Sequence, residues 1–265
     1  MKKIFYYNDE LTDDFGTSVK KIKPLPEDYV YASKNPFFRA FSFVLYRMVA
    51  RPVARIYIKV RFHHRFVGRS AARKIKTGYF IFANHITLAG DAFIPNTVSF
   101  LKRNYIITGE QANSLTALLP VMKAVGAIPL TDSVSANVKM VRCVKQRIAE
   151  GASVTVYPEA HVWPYYTGIR PYSATSFHYA VMTGAPVLCM TTCVQKRKFG
   201  KKPKLVTFTD GPFYPDETLR PSQAAEALRE KVFSAMKARA KEHSTYLYYD
   251  YRKKEPAEQV CSGQK

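Results

Sequence analysis

A short apolar run that stops at two polar residues is the feature that most constrains this chain. Residues 79–83 are aromatic, aliphatic or small, and Asn84 and His85 follow them at once. A run of this length and composition predicts a short buried strand. Open α/β sheets bind their ligands beyond the carboxyl ends of their strands. The pattern therefore predicts that His85 lies at the functional edge of a sheet.

A carboxylate six positions further on, Asp91, offers His85 a partner. Imidazole is suited to removing a proton from an attacking hydroxyl because its ordinary pKa lies near the working pH. A carboxylate on the other ring nitrogen fixes the tautomer and stabilises the imidazolium that forms. His85 and Asp91 make such a pair if the chain between them turns into a helix that starts near Ala92. In the alternative, Asn84 and His85 are turn residues and Asp91 only caps that helix.

The charge of the chain indicates anionic partners. The sequence has 41 Lys and Arg residues against 20 Asp and Glu, which leaves a formal net charge of +21. An excess of this size favours anionic lipid, nucleic acid or an acidic carrier protein as a partner. The 18 tyrosines suit a membrane interface and also stacking on bases. The chain has no recognisable RNA- or DNA-binding motif and its cations are spread along it, which argues against nucleic acid.

The cysteines and the first residues indicate the compartment. The four cysteines, at positions 143, 189, 193 and 261, lack the paired spacing of a zinc site or a disulfide framework. We therefore expect no metal site and no cofactor. Acidic residues follow the basic start before an apolar segment can form, so we expect no signal peptide and a reducing, cytoplasmic setting.

An amphipathic helix is predicted after an irregular N-terminal extension over residues 1–35. Its apolar residues recur at helical spacing from Pro36, and Pro52 predicts an end or a kink. If the helix continues past Pro52, Arg47, Arg51 and Arg55 follow one another at i, i+4 steps along one face. Such a helix suits the headgroup layer of an anionic bilayer, and the alternative is a core-facing helix with a solvated basic side. No uncharged run reaches the roughly 18 residues of a membrane span.

The rest of the chain alternates strands and helices. Strict alternation of apolar and polar residues predicts a half-buried strand between positions 56 and 67. Pro120 predicts a helix kink, and six cations within residues 196–204 predict a solvated hairpin tip. Helices are predicted over residues 92–102, 114–125, 135–150, 173–184 and 222–241, and strands over residues 105–108, 153–157, 185–190 and 204–209.

Four sites along the chain, in order, resemble the motifs of the glycerolphosphate acyltransferase superfamily, most nearly bacterial 1-acylglycerol-3-phosphate acyltransferases. Asn84-His85 matches the first motif, Asn-His-x-x-x-x-Asp, but five residues separate His85 from Asp91. A bulge at Ala89-Gly90 would absorb the extra residue; otherwise Asp91 is misplaced and only His85 functions. Gly126-Ala127-Ile128 and Pro158-Glu159 stand in the second and third motifs, both without the family's arginine, and Pro186 stands in the fourth.

The resemblance covers roughly residues 36–242 and implies a fold. It implies an α/β fold with a single, mostly parallel central sheet flanked by helices, preceded here by the amphipathic helix. The domain plan is then an extension over residues 1–35, a membrane-associating helix and lead-in strand over 36–67, an acyltransferase domain over 68–245 and a loosely held tail over 246–265.

The resemblance also implies an activity. It implies that an acyl group moves from an acyl carrier protein or coenzyme A thioester to a hydroxyl of a lysophospholipid, such as 1-acylglycerol-3-phosphate, on the inner face of the cell membrane. His85 and Asp91 would be catalytic, and the substrate would contact Asn84, Gly126 and Glu159. Arg170 would replace the missing motif arginines at the acceptor's phosphate, or it is a surface loop residue. An inactive membrane-surface scaffold and a basic nucleic-acid-binding protein are the alternative functions.

Overall fold

The structure is a computed structural model that describes residues 2–16, 23–26, 28–68, 70–98, 102–114 and 116–254. Within these ranges the strands are β1 (Lys3–Tyr7), β2 (Arg65–Val67), β3 (Tyr79–Ala83), β4 (Asn104–Thr108), β5 (Ala127–Pro129), β6 (Ser153–Val156), β7 (Val187–Gln195), β8 (Lys204–Phe213) and β9 (Tyr249–Lys253). The α-helices are α1 (Pro36–Val44), α2 (Arg51–Phe62), α3 (Ser70–Lys74), α4 (Leu88–Phe93), α5 (Leu119–Val125), α6 (Val134–Ala149), α7 (His178–Thr183) and α8 (Pro221–His243).

Seven of these strands form one central sheet. Their order is β2-β8-β7-β3-β6-β4-β5, and every neighbouring pair is parallel except β7 and β8. The α/β fold with a mostly parallel sheet flanked by helices is therefore confirmed. The β7–β8 connection is the basic hairpin predicted over residues 196–204.

The strand that precedes His85 lies at the centre of the sheet. All five residues of β3 are buried, because successive side chains point to opposite faces and both faces are covered. Phe80 and Phe82 pack in the apolar cluster that includes residues of α6, α7 and α8. Tyr79 and Ile81 pack on the other face, in the cluster that includes α2. His85 is thus fixed at the edge of a rigid core.

The predicted strand between positions 56 and 67 is wrong over most of its length. Residues 51–62 form α2, and only Arg65–Val67 form a strand. The alternating apolar residues also satisfy a helical period, since Ala54, Ile58 and Phe62 recur at i, i+4 and are the apolar residues that α2 buries. Pro52 lies in the first turn of α2, where its missing N–H costs nothing.

The three arginines predicted to contact the membrane do not share one face. A π-helical turn, Leu45–Ala50, connects α1 to α2. Its i→i+5 hydrogen bonds change the angular step, so Arg47 no longer aligns with Arg51. Arg51 and Arg55 lie in the same α-helix, but Arg51 falls on its buried face. Arg55 is exposed, Arg47 is half-buried and Arg51 is buried at 6% exposure. For Arg51 the structure contradicts the predicted membrane contact.

The two ends of the chain pair with each other. β1 lies in the extension that was predicted to be irregular, β9 lies in the segment predicted to be a loose tail, and the two form a parallel two-stranded sheet. The ring of Phe5 stacks on Tyr251 at a centroid distance of 5.1 Å. Residues 255–265 of the predicted tail lie outside the described ranges. This pairing joins segments more than 240 residues apart, which local periodicity does not reveal.

Several helix boundaries also differ from the predictions. The helix after the histidine starts at Leu88, and a 3₁₀ turn, Pro95–Thr97, follows it; residues 99–101 of the predicted helix lie outside the described ranges. Pro120 does not kink a helix but lies in the first turn of α5. Ser133, rather than Ser135, caps α6 by accepting a hydrogen bond from the backbone N–H of Ala136.

Candidate active site

His85 and Asp91 form a hydrogen-bonded pair at the carboxyl end of β3. His85 Nδ1 lies 2.6 Å from Asp91 Oδ2. The histidine side chain is 18% exposed, whereas the aspartate side chain is 4% exposed. A carboxylate that accepts from Nδ1–H leaves the lone pair on Nε2. The pair therefore has the arrangement of a general base with an orienting carboxylate.

A helical turn, not a bulge, brings Asp91 to the imidazole. Asp91 lies in the first turn of α4, and Thr87 is the residue before that helix. The Thr87 backbone N–H donates to Asp91 Oδ2 and its hydroxyl donates to Asp91 Oδ1, both at 2.8 Å. Asp91 is therefore not the N-cap of this helix, as the alternative from the sequence had it: the N-cap residue is Thr87, and Asp91 holds both Thr87 and His85 from inside the first turn.

Gly90 allows this turn through close packing. Its φ is not in the left-handed region, so the turn does not require glycine for its dihedral angles. A Cβ at position 90 would lie 2.3 Å from Thr87 Oγ1 and 3.1 Å from the Phe62 ring. The bulge at Ala89-Gly90 that the sequence suggested is absent, since the helix begins at Leu88.

Two residues of the neighbouring strand end support the pair. The Tyr157 ring stacks on the His85 imidazole at a centroid distance of 4.6 Å, and its hydroxyl donates to the Asp91 backbone carbonyl at 2.5 Å. Burial, and the negative charge of Asp91, raise the pKa of Tyr157, so it remains a neutral donor. Glu159 Oε2 accepts a hydrogen bond from the His85 backbone N–H at 3.0 Å.

Glu159 and Arg170 form a buried ion pair behind the dyad. Arg170 Nη2 lies 3.5 Å from Glu159 Oε2, and Glu159 Oε1 accepts from the Arg170 backbone N–H at 3.0 Å. Burial raises the pKa of Glu159, although Arg170 and the backbone donors oppose that rise. Glu159 is 4% exposed and does not line the cavity described below. Its contacts are those of a residue that holds two loops together.

Arg170 cannot reach a ligand phosphate in this arrangement. Its side chain has no exposed surface, and its guanidinium donates to the backbone carbonyls of Glu10, Glu159 and His161. It also lies over the Trp163 ring, 5.1 Å from the ring centroid. The predicted contact between Arg170 and the acceptor's phosphate is incompatible with this burial, because its donors point into the protein.

Asn84 is also a structural residue. Its side-chain amide donates to the Thr192 carbonyl at 3.0 Å, and its side-chain carbonyl accepts from the Thr192 N–H at 2.8 Å. These two bonds extend the β3–β7 pairing beyond the last paired residue of β3, Ala83. The side chain is buried and does not line the cavity, so the predicted contact with substrate is not seen.

A cavity of about 860 Å³ lies beside the dyad. His85, Asp91 and Tyr157 line it near the sheet edge, and Gly126, which stands in the second motif, also lines it. Arg51 also lines it and, among the described residues, is the one Lys or Arg side chain that does so. Much of the remaining wall is apolar and comes from β4, α5, β6 and α7: Ile106, Ile107, Met122, Val125, Val156 and Tyr179. A cavity of this size and lining suits an organic ligand with an apolar chain.

No family model and no curated protein sequence matches this chain. The fold is similar to that of a solved structure, the 1-acyl-sn-glycerophosphate (LPA) acyltransferase PlsC from Thermotoga maritima. The TM-score is 0.53 at 17% sequence identity, and the match covers 76% of this chain and 86% of that chain. At this identity the likeness establishes a shared fold.

The sequence did not reveal three residues of this site. Tyr157 directly follows β6, which pairs in parallel with β3. Because the carboxyl ends of neighbouring parallel strands lie side by side, knowing that β6 is next to β3 would have placed Tyr157 near His85. Thr87 stands directly before α4, and threonine is among the residues favoured at that position. No pattern in the sequence around Arg51 indicated that it would line the cavity.

Within the described ranges, no group of three or more His, Cys, Asp or Glu side chains could hold a metal ion.

Proposed function

We propose that this protein transfers a fatty acyl group from a thioester to a hydroxyl of a lysophospholipid. The observation that carries the proposal is the His85–Asp91 pair at the edge of a large, mainly apolar cavity. The similarity in fold to a 1-acyl-sn-glycerophosphate acyltransferase supports it. A parallel sheet presents such residues at the carboxyl ends of its strands, where ligands of this fold class bind.

The chemistry needs one base and no covalent intermediate. His85 Nε2 removes the proton of the acceptor hydroxyl while its oxygen attacks the thioester carbonyl. The charge of Asp91 stabilises the imidazolium that forms. When the carbon–sulfur bond breaks, the imidazolium returns the proton to the thiolate, so an ester and a thiol leave and His85 is neutral again.

The proposed substrates follow from the cavity and from the resemblance. The apolar walls would hold an acyl chain, and water exclusion there would protect the thioester from hydrolysis. We propose 1-acylglycerol-3-phosphate as the acceptor, which yields phosphatidic acid, and an acyl carrier protein or coenzyme A thioester as the donor. Since Arg170 is buried, the acceptor's phosphate needs another partner; His161, which lines the cavity beside the dyad loop, is our candidate.

We further propose that the helices before the sheet lie on the inner face of the cell membrane. Their exposed apolar side chains include Phe37 at 84% exposure, Met48 at 70% and Val60 at 69%. An apolar surface of this kind, next to exposed cations such as Arg55, suits the boundary between headgroups and acyl chains. In the described residues, no helix combines the length and apolarity that crossing a membrane would require.

The test is turnover of an acyl thioester with a lysophospholipid by purified protein. His85→Ala should lower the rate by about 10² to 10⁴, the usual contribution of a general base. His63→Asn is the matched control, because His63 is exposed, does not line the cavity and has a φ of 47°, which asparagine tolerates. Absence of turnover by the wild-type protein with either donor class would favour an inactive scaffold.

A further inference from the structure

A second cavity, of about 470 Å³, has strongly basic walls. We call it the basic pocket and define it by its charged residues: the cations Lys34, Arg39, Arg103, Lys123 and Arg147, and the carboxylate Glu150. The carboxylate is already engaged, since Glu150 Oε2 lies 2.7 Å from Arg147 Nη1. The walls therefore carry a large excess of positive charge, which attracts an anion.

Three of the pocket cations, Arg103, Lys123 and Arg147, are held in place by neighbouring groups, whereas Lys34 and Arg39 are exposed. Arg103 donates to Ser42 Oγ at 2.8 Å and to the Ala124 carbonyl at 2.6 Å. Tyr105 lies between Arg103 and Arg147, each 4.9 Å from its ring centroid. Lys123 is likewise shared between two rings, 5.4 Å from those of Tyr29 and Phe38. Arginines and lysines held in this way keep their donors aimed, so less entropy is lost when a ligand binds.

Some of the donors in this region have no partner. The Nε atoms of Arg103 and Arg147 are buried and make no hydrogen bond within the described part of the chain. Burial also lowers the pKa of Arg103 and of Lys123, because both cations lose hydration. Several partly dehydrated cations held close together are unfavourable unless an anion compensates them. Phosphate suits them, since guanidinium groups bind its oxygens in a bidentate manner.

Arg103 of the basic pocket lies far from the catalytic pair of the candidate active site. Asn104, which follows Arg103, lies level with Ser153, and Ser153 lies level with Tyr79 at the start of β3. His85 follows Tyr79 by six positions. At about 3.3 Å per residue in a strand, Arg103 and the dyad are therefore roughly 20 Å apart along the strands, although Ala127 lines both cavities. One phosphate group cannot contact Arg103 and His85 together.

The pocket opens beside the exposed apolar face of α1. Phe38, Arg39 and Phe43 line the pocket, whereas Phe37 and Phe41, on the same helix, are 84% and 56% exposed. An apolar helix face next to a basic cleft matches a phospholipid, which has chains on one side and a phosphate on the other. We propose that the basic pocket binds the phosphate of an anionic phospholipid headgroup, as a second lipid site distinct from the site of acyl transfer.

The test compares two double variants that lose the same charge. Arg39→Gln/Lys123→Gln removes two pocket cations, whereas Arg142→Gln/Lys145→Gln removes two exposed cations of α6 that do not line the pocket. Binding is measured to phosphatidylcholine vesicles with and without phosphatidic acid, and to sn-glycerol 3-phosphate in solution. Both double variants have the same net charge and an intact His85–Asp91 pair. Nonspecific electrostatic attraction to the vesicles, and ligand binding beside His85, therefore contribute equally to the two measurements.

We expect the pocket double to bind phosphatidic acid vesicles about tenfold more weakly than the control double, as when a charged hydrogen bond is lost. If the pocket instead serves a soluble phosphate compound, sn-glycerol 3-phosphate binding falls in the pocket double alone and vesicle binding is equal in the two doubles. That result would overturn the assignment to a lipid headgroup. Equal behaviour with both probes would overturn the site itself.

The outcome is independent of the proposed acyl transfer. Turnover is measured with detergent-dispersed substrates, so vesicle binding does not limit it. We expect the pocket double to retain the wild-type rate in that assay. The single variant Arg39→Gln, at an exposed position of α1, covers the case in which the Lys123 change disturbs the packing on Tyr29 and Phe38.

Discussion

Replacing Asp91 by asparagine separates a catalytic role from a purely structural one. The Asp91 carboxylate accepts three hydrogen bonds, from His85 Nδ1, the Thr87 N–H and the Thr87 hydroxyl. Both donors at Oδ2 are N–H groups, so an asparagine that keeps its oxygen there keeps both bonds, and its NH₂ group can donate to the Thr87 hydroxyl oxygen in place of the bond that Oδ1 accepted. If its NH₂ group faces His85 instead, Nδ1 must become an acceptor, and Nε2 then carries the proton. In that tautomer Nε2 cannot act as a base.

The expected size of the effect follows from the role that is lost. Even with the tautomer kept, asparagine does not supply the negative charge that stabilises the imidazolium. If Asp91 orients and supports the base, kcat should fall by about 10² to 10⁴, which equals about 2.7 to 5.4 kcal/mol in the activation barrier. If Asp91 only caps α4, the change should cost about 1 kcal/mol of stability and leave kcat within a few-fold of wild type.

The assay measures kcat and the midpoint of thermal unfolding for the same preparation. Asp216→Asn is a matched control, since Asp216 accepts from the N–H and the hydroxyl of Thr218 at 3.0 and 2.6 Å but does not line the cavity. We expect Asp216→Asn to keep the wild-type kcat. An Asp91→Asn protein with a lowered midpoint and a nearly normal kcat would refute the dyad.

Three further predictions rest on the described contacts. Gly90→Ala should lower kcat without abolishing folding, because its Cβ would displace the Thr87 hydroxyl; an unchanged kcat in steady-state assays would contradict this. Arg55→Gln should weaken binding to anionic vesicles by about 1 kcal/mol in a sedimentation assay, whereas Arg51→Gln, which removes a buried charge, should not; equal losses would argue against the assigned faces. Arg170→Met should lower the free energy of unfolding by about 3 to 5 kcal/mol at neutral pH, because Glu159 is left as an unpaired buried charge. The pKa of Glu159 is raised on folding and should rise further in this variant, so denaturant titrations should show stability recovering as the pH falls; a loss independent of pH would exclude this explanation.

The sequence alone determined the elements whose signals are local. The buried strand β3, the histidine at its end, α6 and α8 follow from apolar periodicity, composition and flanking turn residues. The mostly parallel sheet was implied by the family resemblance, and the alternation of strands and helices agrees with it. These features depend on residues that are neighbours along the chain, and a pattern in the sequence reports them directly.

Tertiary structure decided the roles of most candidate site residues. Asn84 and Arg170 are residue types that often bind ligands. Their side chains instead make hydrogen bonds to the backbone of distant segments, Asn84 to Thr192 and Arg170 to Glu10. Arg51, assigned to the membrane by its spacing, instead lines the cavity because it lies on the face of α2 that packs into the protein.

The same reason explains the misassigned helix and the unforeseen terminal sheet. Residues 51–62 fit both a strand and a helix by period, and packing of Ile58 and Phe62 against the core selected the helix. β1 and β9 find each other only in the folded chain. Local sequence determines which backbone conformations are favourable, whereas the hydrogen-bond partner of a buried polar group depends on which distant segment packs against it. The position of His85 at the end of a strand was therefore predictable, and the buried contacts of Arg170 were not.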